Sequence, residues 1–201
     1  MKMTKIIILA LAVLLIGGTA VATTSFINSG SKEEEQVEPA FIRVTGMIES
    51  VEERDGTLYY LINEGQDETS YIIVSSDTVV FDNTGDVTEL EPGEEITAYT
   101  YANKPMPLIY PPQYNPEVII VETDLIGSAA VGTFNDELVD ETLSLKLNVS
   151  EETELSSLTG KDVGVEDLEG QDLLVFYSFT TKSIPAQTTP EKIIVLDGEE
   201  S

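Results

Sequence analysis

The chain has 201 residues, of which 37 are acidic and 10 basic, and it contains no Cys, His or Trp. Without Cys there is no disulfide, and without His or Cys there is no Ser-His-Asp or Cys-His catalytic set and no thiolate or imidazole zinc site. A formal charge of −27 repels nucleic acid and opposes an anionic membrane surface. The 41% hydrophobic content is enough for packed cores.

The N-terminus opens with Lys2 and Lys5, followed by the apolar run "IIILALAVLLIGG" and the small-x-small sequence "AVA" at 20–22. This pattern predicts a signal peptide over 1–22, with an uncleaved membrane anchor as the alternative. No Cys follows the apolar run to carry a lipid. Either outcome places the remainder outside the cytoplasmic membrane: secreted, extracellular, or associated with the cell surface. Residues 23–40, "TTSFINSGSKEEEQVEPA", have little to bury and are expected to be a flexible linker.

From Phe41 the pattern changes to β. "FIRVTGMIESVEE", "TLYYLINE" and "SYIIVSSDTVVF" are rich in β-branched and aromatic residues, and "EGQDE" and "DNTGD" mark turns. "VTELEPGEE" predicts one helical turn, ended by Pro92 and Gly93. "EITAYTYA" is a strand, 103–116 a Pro-rich loop, and "EVIIVETD" a closing strand whose apolar run reads as buried on both faces.

The same order then returns. "GSAAVGTFNDELV" places Gly132 where Gly46 stood, and "ETLSLKLNV", "TELSSLTGKDV" and "EDLEGQDLLVFYSF" follow in sequence. "IPAQTTPEKIIV" at 184–195 matches "YPPQYNPEVIIV" at 110–121 in seven of twelve positions. The chain therefore reads as a tandem repeat, with the middle hairpin shortened in the second copy. Five strands and a helical turn in about 75 residues predict all-β architecture, as two tandem five-stranded OB-like β-barrels over 41–124 and 127–197. Small β-sandwiches are the alternative. Closure is attractive because it removes exposed strand edges.

The segments "SDTVVFDNTGDVTEL", "PGEEITAYTY" and "MPLIYPPQYNPEVIIV" resemble a secreted or cell-surface domain of Gram-positive bacteria that occurs beside copper-amine-oxidase-N-terminal-like modules. The shared positions are Asp77-Thr78, Thr84-Gly85, Leu90, Gly93, Tyr99, Met106, Pro111-Pro112-Gln113 and Val118–Val121. The resemblance covers 41–122 well and 127–196 loosely, where Pro112 is matched by Ala186 and the loop has no Met. It implies an extracellular domain with no established activity and no catalytic residues.

The Pro-rich loop is the first candidate site. It holds five prolines, and Met106, Leu108, Tyr110, Gln113 and Tyr114 are candidate contact residues for a ligand or partner. The competing structural reading has the loop folded over one barrel end, burying Leu108, Ile109 and Tyr110, while Gln113 and Gln187 serve backbone groups of the bend. Acidic clusters at Asp82, Asp86 and Glu89, and at Asp136, Glu137, Asp140 and Glu141, lack EF-hand spacing and read as solvated turns rather than Ca²⁺ sites. A carboxylate-dependent hydrolase would need two carboxylates facing each other in a cleft. The sequence thus points to a noncatalytic binding or structural module of the cell envelope, monomeric, without cofactor or metal, whose partner is a protein or cell-wall component. A secreted inhibitor of an extracellular peptidase, acting through 103–116, is the alternative.

Overall fold

The computed structural model describes residues 38–197. The predicted signal peptide 1–22, and all of the predicted linker before Glu38, lie outside the described residues. Among the described residues no helix is long and apolar enough to cross a membrane.

Period-two burial organises the first strands. β1 (Phe41–Arg54) buries Val44 and Ile48, β2 (Thr57–Gly65) buries Tyr60 and Ile62, and β3 (Glu68–Val74) buries Ser70 and Ile72. The β1–β2 turn is Asp55-Gly56, both residues at positive φ. That is the conformation which two-residue hairpins require and which Asp-Gly supplies readily. β4 (Val79–Asp82), β5 (Glu95–Tyr101), β6 (Gln113–Tyr114) and β7 (Val118–Glu122) complete a seven-stranded sheet, in the order β4-β7-β5-β1-β2-β3-β6.

The second half contains β8 (Ser128–Phe134), β9 (Val139–Asp140), β10 (Leu145–Leu147), β11 (Glu154–Ser157), a 3-10 turn at Val165–Leu168, β12 (Gln171–Tyr177), β13 (Ala186–Thr188) and β14 (Lys192–Val195). They form a four-stranded sheet β11-β14-β12-β8 and a three-stranded sheet β13-β10-β9. This is the strand order of the first half, cut between β8 and β9. The cut falls where the first half extends β1 and β2 into a long hairpin, because β8 ends at Phe134. Small contacts also recur. Thr78 Oγ1 donates to the Pro116 carbonyl and Thr153 Oγ1 to the Pro190 carbonyl, both at 2.9 Å. The Tyr110–Pro111 and Ile184–Pro185 peptides are both cis.

The all-β class holds, but the expected closed OB-like barrels do not. The hydrogen-bonded sheets are open, with β4 and β6 at the ends of the first, and the described residues coil as a β-solenoid of about three turns. A local turn accounts for the opening. The stretch predicted as one strand, "SYIIVSSDTVVF", is broken at Ser75–Thr78, where Thr78 N–H donates to the Ser75 carbonyl and Ser75 N–H to Thr78 Oγ1. Ser, Asp and Thr side chains offer the backbone such local partners in place of ladder bonds. The two pieces, β3 and β4, then join opposite ends of the sheet. The helical turn expected in each unit is present only in the second, as the 3-10 turn. In the first, 88–94 is non-helical and bends at Gly93, whose N–H donates to the Ile48 carbonyl.

Among the described residues there are three apolar clusters. One lies within the first half around Ile48, Ile62, Ile72, Ile96 and Ile119. A second lies within the second half around Phe134, Leu168, Leu173, Val175 and Ile193. The third is shared: Phe41, Phe81, Tyr99, Val118 and Ile120 meet Val131, Leu174, Phe176, Ile194 and Leu196. The unbroken apolar runs of β7 and β14 now have a reason. Ile119 and Ile193 face their own half, while Ile120 and Ile194 face the other.

Candidate functional site

The Pro-rich loop divides into a framework and an exposed tip. The framework begins at Pro112, whose carbonyl accepts Tyr71 N–H at 2.8 Å, and continues as β6, where Gln113 and Tyr114 pair in parallel with Tyr71 and Ile72. Tyr114 packs against the first-half cluster. On the other side, Lys104 N–H donates to the Tyr101 carbonyl, and the Lys104 ammonium pairs with Glu117. Tyr101 N–H also donates to Glu117, at 3.0 Å.

Between these anchors the chain runs without regular structure, and its apolar side chains face water. Leu108 is 103% exposed and Tyr110 82%, with Met106 and Ile109 also exposed. The expectation that Leu108, Ile109 and Tyr110 are buried over a barrel end is therefore overturned. Between Lys104 and Pro112, the prolines Pro105, Pro107 and Pro111 have no N–H to give a ladder, which keeps this stretch out of the sheet. The five candidate residues do not form one surface of equal kind: Met106, Leu108 and Tyr110 lie on the tip, while Gln113 and Tyr114 are half-buried in the framework. The second half offers a smaller counterpart in Phe179 and Ile184, the latter 94% exposed just before its cis proline.

A cleft was not legible in the sequence. It has a volume of about 400 Å³ and lies between the start of β1 and the edge of β8, with walls from Phe41, Tyr99, Val131 and Leu143. It adjoins a shallower depression of about 340 Å³ that reaches Tyr101, Thr133 and Asp172. Asp140, only 4% exposed, lines the cleft. Burial pushes its carboxyl pKa up, the Asp172 charge adds to this, and hydrogen bonds from the Leu143, Thr142 and Thr133 N–H groups offset part of the rise. Burial also raises the Tyr101 hydroxyl pKa, helped by Asp172 beside it.

Thr133, beside Asp140 in the cleft lining, donates its hydroxyl to Asp172, while Leu143 N–H donates to Asp140 Oδ1 at 2.8 Å. The two acids are the residue types a hydrolase would use, but the Asp140 carboxylate is occupied by backbone donors. Its structural role is visible by comparison of the halves. A Cβ on Gly46 would collide with the Asn63 carbonyl oxygen, and a Cβ on Gly132 would collide with Asp140 Oδ2. A side-chain carboxylate thus stands in the second half where a strand carbonyl stands in the first.

In the acidic cluster of the first half, Asp82 serves a turn. Asp82 Oδ1 accepts from Thr84 N–H, Thr84 Oγ1 and Asp86 N–H. Burial acts to raise the Asp82 pKa, but these bonds outweigh it and hold the carboxyl below its ordinary value. Among the described residues no three acidic side chains converge as a metal site. Comparison with protein-family models, with curated proteins and with solved structures finds no match.

Proposed function

We propose that this chain is a noncatalytic binding module of the bacterial cell envelope, secreted or held at the cell surface, that engages a protein or cell-wall component through the tip at 105–110. One observation carries the reading: Leu108, Ile109 and Tyr110 are exposed together on a short segment fixed at both ends. Proline restricts the backbone before any partner arrives, so less entropy is lost on binding. The leader-like N-terminus and the resemblance of 41–122 to an extracellular Gram-positive domain support the same location. Purified protein incubated with Gram-positive cell-wall fractions should be retained above an unrelated protein of similar negative charge. The Leu108→Ser/Tyr110→Ser variant should lose that retention. Equal retention of variant and wild type removes the tip from the reading, and no retention removes the envelope.

A second reading, inhibition of an extracellular peptidase, is favoured by the complete exposure of Leu108 between fixed anchors, as suits a side chain that enters a specificity pocket. A panel of extracellular peptidases assayed with and without the protein tests it. If none is slowed, the reading fails.

A further inference from the structure

We propose that Phe179 and Ile184 form a second binding tip, so that the chain is bivalent for a repeating polymer, an amino-sugar glycan bearing short peptide stems. This rests on the reading of 105–110 as a binding tip and names the partner of both. The two loops are built alike. Each begins where the Glu of the repeated Pro-Glu pair holds it: Tyr101 N–H donates to Glu117 at 3.0 Å, and Ser178 Oγ to Glu191 at 2.7 Å. Each returns as a short strand in which Gln113 or Gln187 pairs in parallel, with Tyr71 or Lys146. Each exposes a large apolar side chain directly before the proline that opens the repeated Pro-x-Gln frame, Tyr110 at 82% and Ile184 at 94%. Phe179, also exposed, stands in the same loop as Ile184.

Hydrogen bonds, rather than prolines, fix the second loop. Thr181 N–H donates to the Gln187 carbonyl at 2.8 Å, Gln187 N–H to Thr181 Oγ1 at 2.9 Å, and Thr188 Oγ1 to the Phe179 carbonyl at 2.7 Å. The backbone that carries Phe179 and Ile184 is thus ordered before a partner arrives, and binding costs less entropy. Charge selects the partner. Residues 96–116 and 173–190 contain no Asp or Glu, the two longest such stretches after residue 38 in a chain of formal charge −27. Lys182 belongs to none of the ion pairs of the described residues. Charges more than about 8 Å apart are largely screened at physiological salt, so a group at Ile184 meets this lysine and no acid of the loop. An apolar contact beside a cation fits an alkyl side chain beside a carboxylate, which peptide stems repeat along a glycan. A polyphosphate lacks the alkyl groups, and the overall charge repels it. Two like sites gain from a partner that repeats: where one polymer reaches both, binding is about 10²–10⁴ stronger than through one tip.

The probe is Gram-positive peptidoglycan stripped of phosphate polymers by hydrofluoric acid, sedimented with increasing amounts of the full chain. Saturable binding is expected, and Phe179→Ser/Ile184→Ser should weaken it at least about tenfold although 105–110 is intact. Combining that variant with Leu108→Ser/Tyr110→Ser should abolish sedimentation. All four side chains face water, so thermal unfolding should not change and the loss reads contact rather than folding. On single disaccharide-peptide units, immobilised sparsely, Phe179→Ser/Ile184→Ser should cost less than on the polymer, because the tips then act one at a time. Equal sedimentation of that variant and wild type overturns the proposal, and leaves the 105–110 reading standing if Leu108→Ser/Tyr110→Ser is lost. A loss as large on single units as on the polymer overturns bivalency. Binding that disappears once phosphate polymers are stripped overturns the glycan as partner. If wild type is not retained even by untreated walls, the reading of 105–110 falls and the second tip falls with it.

Discussion

Replacing Ile194 by Ala tests whether the two halves are one cooperative unit. Ile194 is 4% exposed and belongs to the cluster in which five residues of each half meet. Its neighbour Ile193, fully buried, belongs to the second half's own cluster. The two positions carry the same side chain, one residue apart on β14, and differ chiefly in which core they fill. A buried Ile→Ala change costs about 2–5 kcal/mol, from lost burial and the cavity left behind. At about 1.4 kcal/mol per tenfold, a cost near 3 kcal/mol lowers the protection of a globally exchanging amide by about two orders of magnitude. Hydrogen exchange read strand by strand is the assay. Ile194→Ala should lower protection in β5 and β7 of the first half together with β12 and β14, because Val118, Ile120 and Tyr99 lose a packing partner. Ile193→Ala should act first on β8, β12 and β14, with a smaller effect on the first half. If Ile194→Ala leaves β5 and β7 at wild-type protection while β12 and β14 weaken, the shared cluster is a contact between independent units and the reasoning is wrong.

Gly132→Ala and Gly46→Ala should each destabilise by about 1–3 kcal/mol or more, since the new methyl meets the Asp140 carboxylate or the Asn63 carbonyl; thermal unfolding checks this. Asn83→Ala should cost about 1–3 kcal/mol in denaturant unfolding and sensitise the 124–127 link to proteolysis. The buried Asn83 amide donates to the Leu125 and Gly127 carbonyls at 2.9 and 3.1 Å and accepts from Thr123 N–H and Oγ1. Asp140 binds its proton more tightly in the folded state, so its contribution to stability is most favourable below about pH 4 and declines as pH rises toward its elevated folded pKa. Asp140→Asn should flatten that part of the stability–pH curve, whatever its effect on absolute stability, and an unchanged slope in urea titrations would refute the assignment. Leu108→Ser/Tyr110→Ser should shift stability by no more than about 0.5 kcal/mol, because both side chains already face water.

The repetition of "YPPQYNPEVIIV" in "IPAQTTPEKIIV" was legible because the closing strand has the same job twice. Its apolar runs must fill a core on each face, and its Pro-Glu pair must present the same carbonyls to Thr78 and Thr153, and to Val79 and Glu154. The strand character of β1 to β3 was likewise local, set by their β-branched and aromatic residues. Sheet closure was not, because it depends on which distant edges meet, and the short turn at Ser75–Thr78 sends β3 and β4 to opposite ends of one sheet. Exposure of the 105–110 tip was hidden for another reason: a proline-rich stretch has no period, so nothing in Leu108, Ile109 or Tyr110 says which way each side chain turns. The cleft exists only in three dimensions. It arises because β8 ends where β1 continues, and because Asp140, which reads in sequence as one more acid in a surface turn, folds back to take the place of a strand carbonyl.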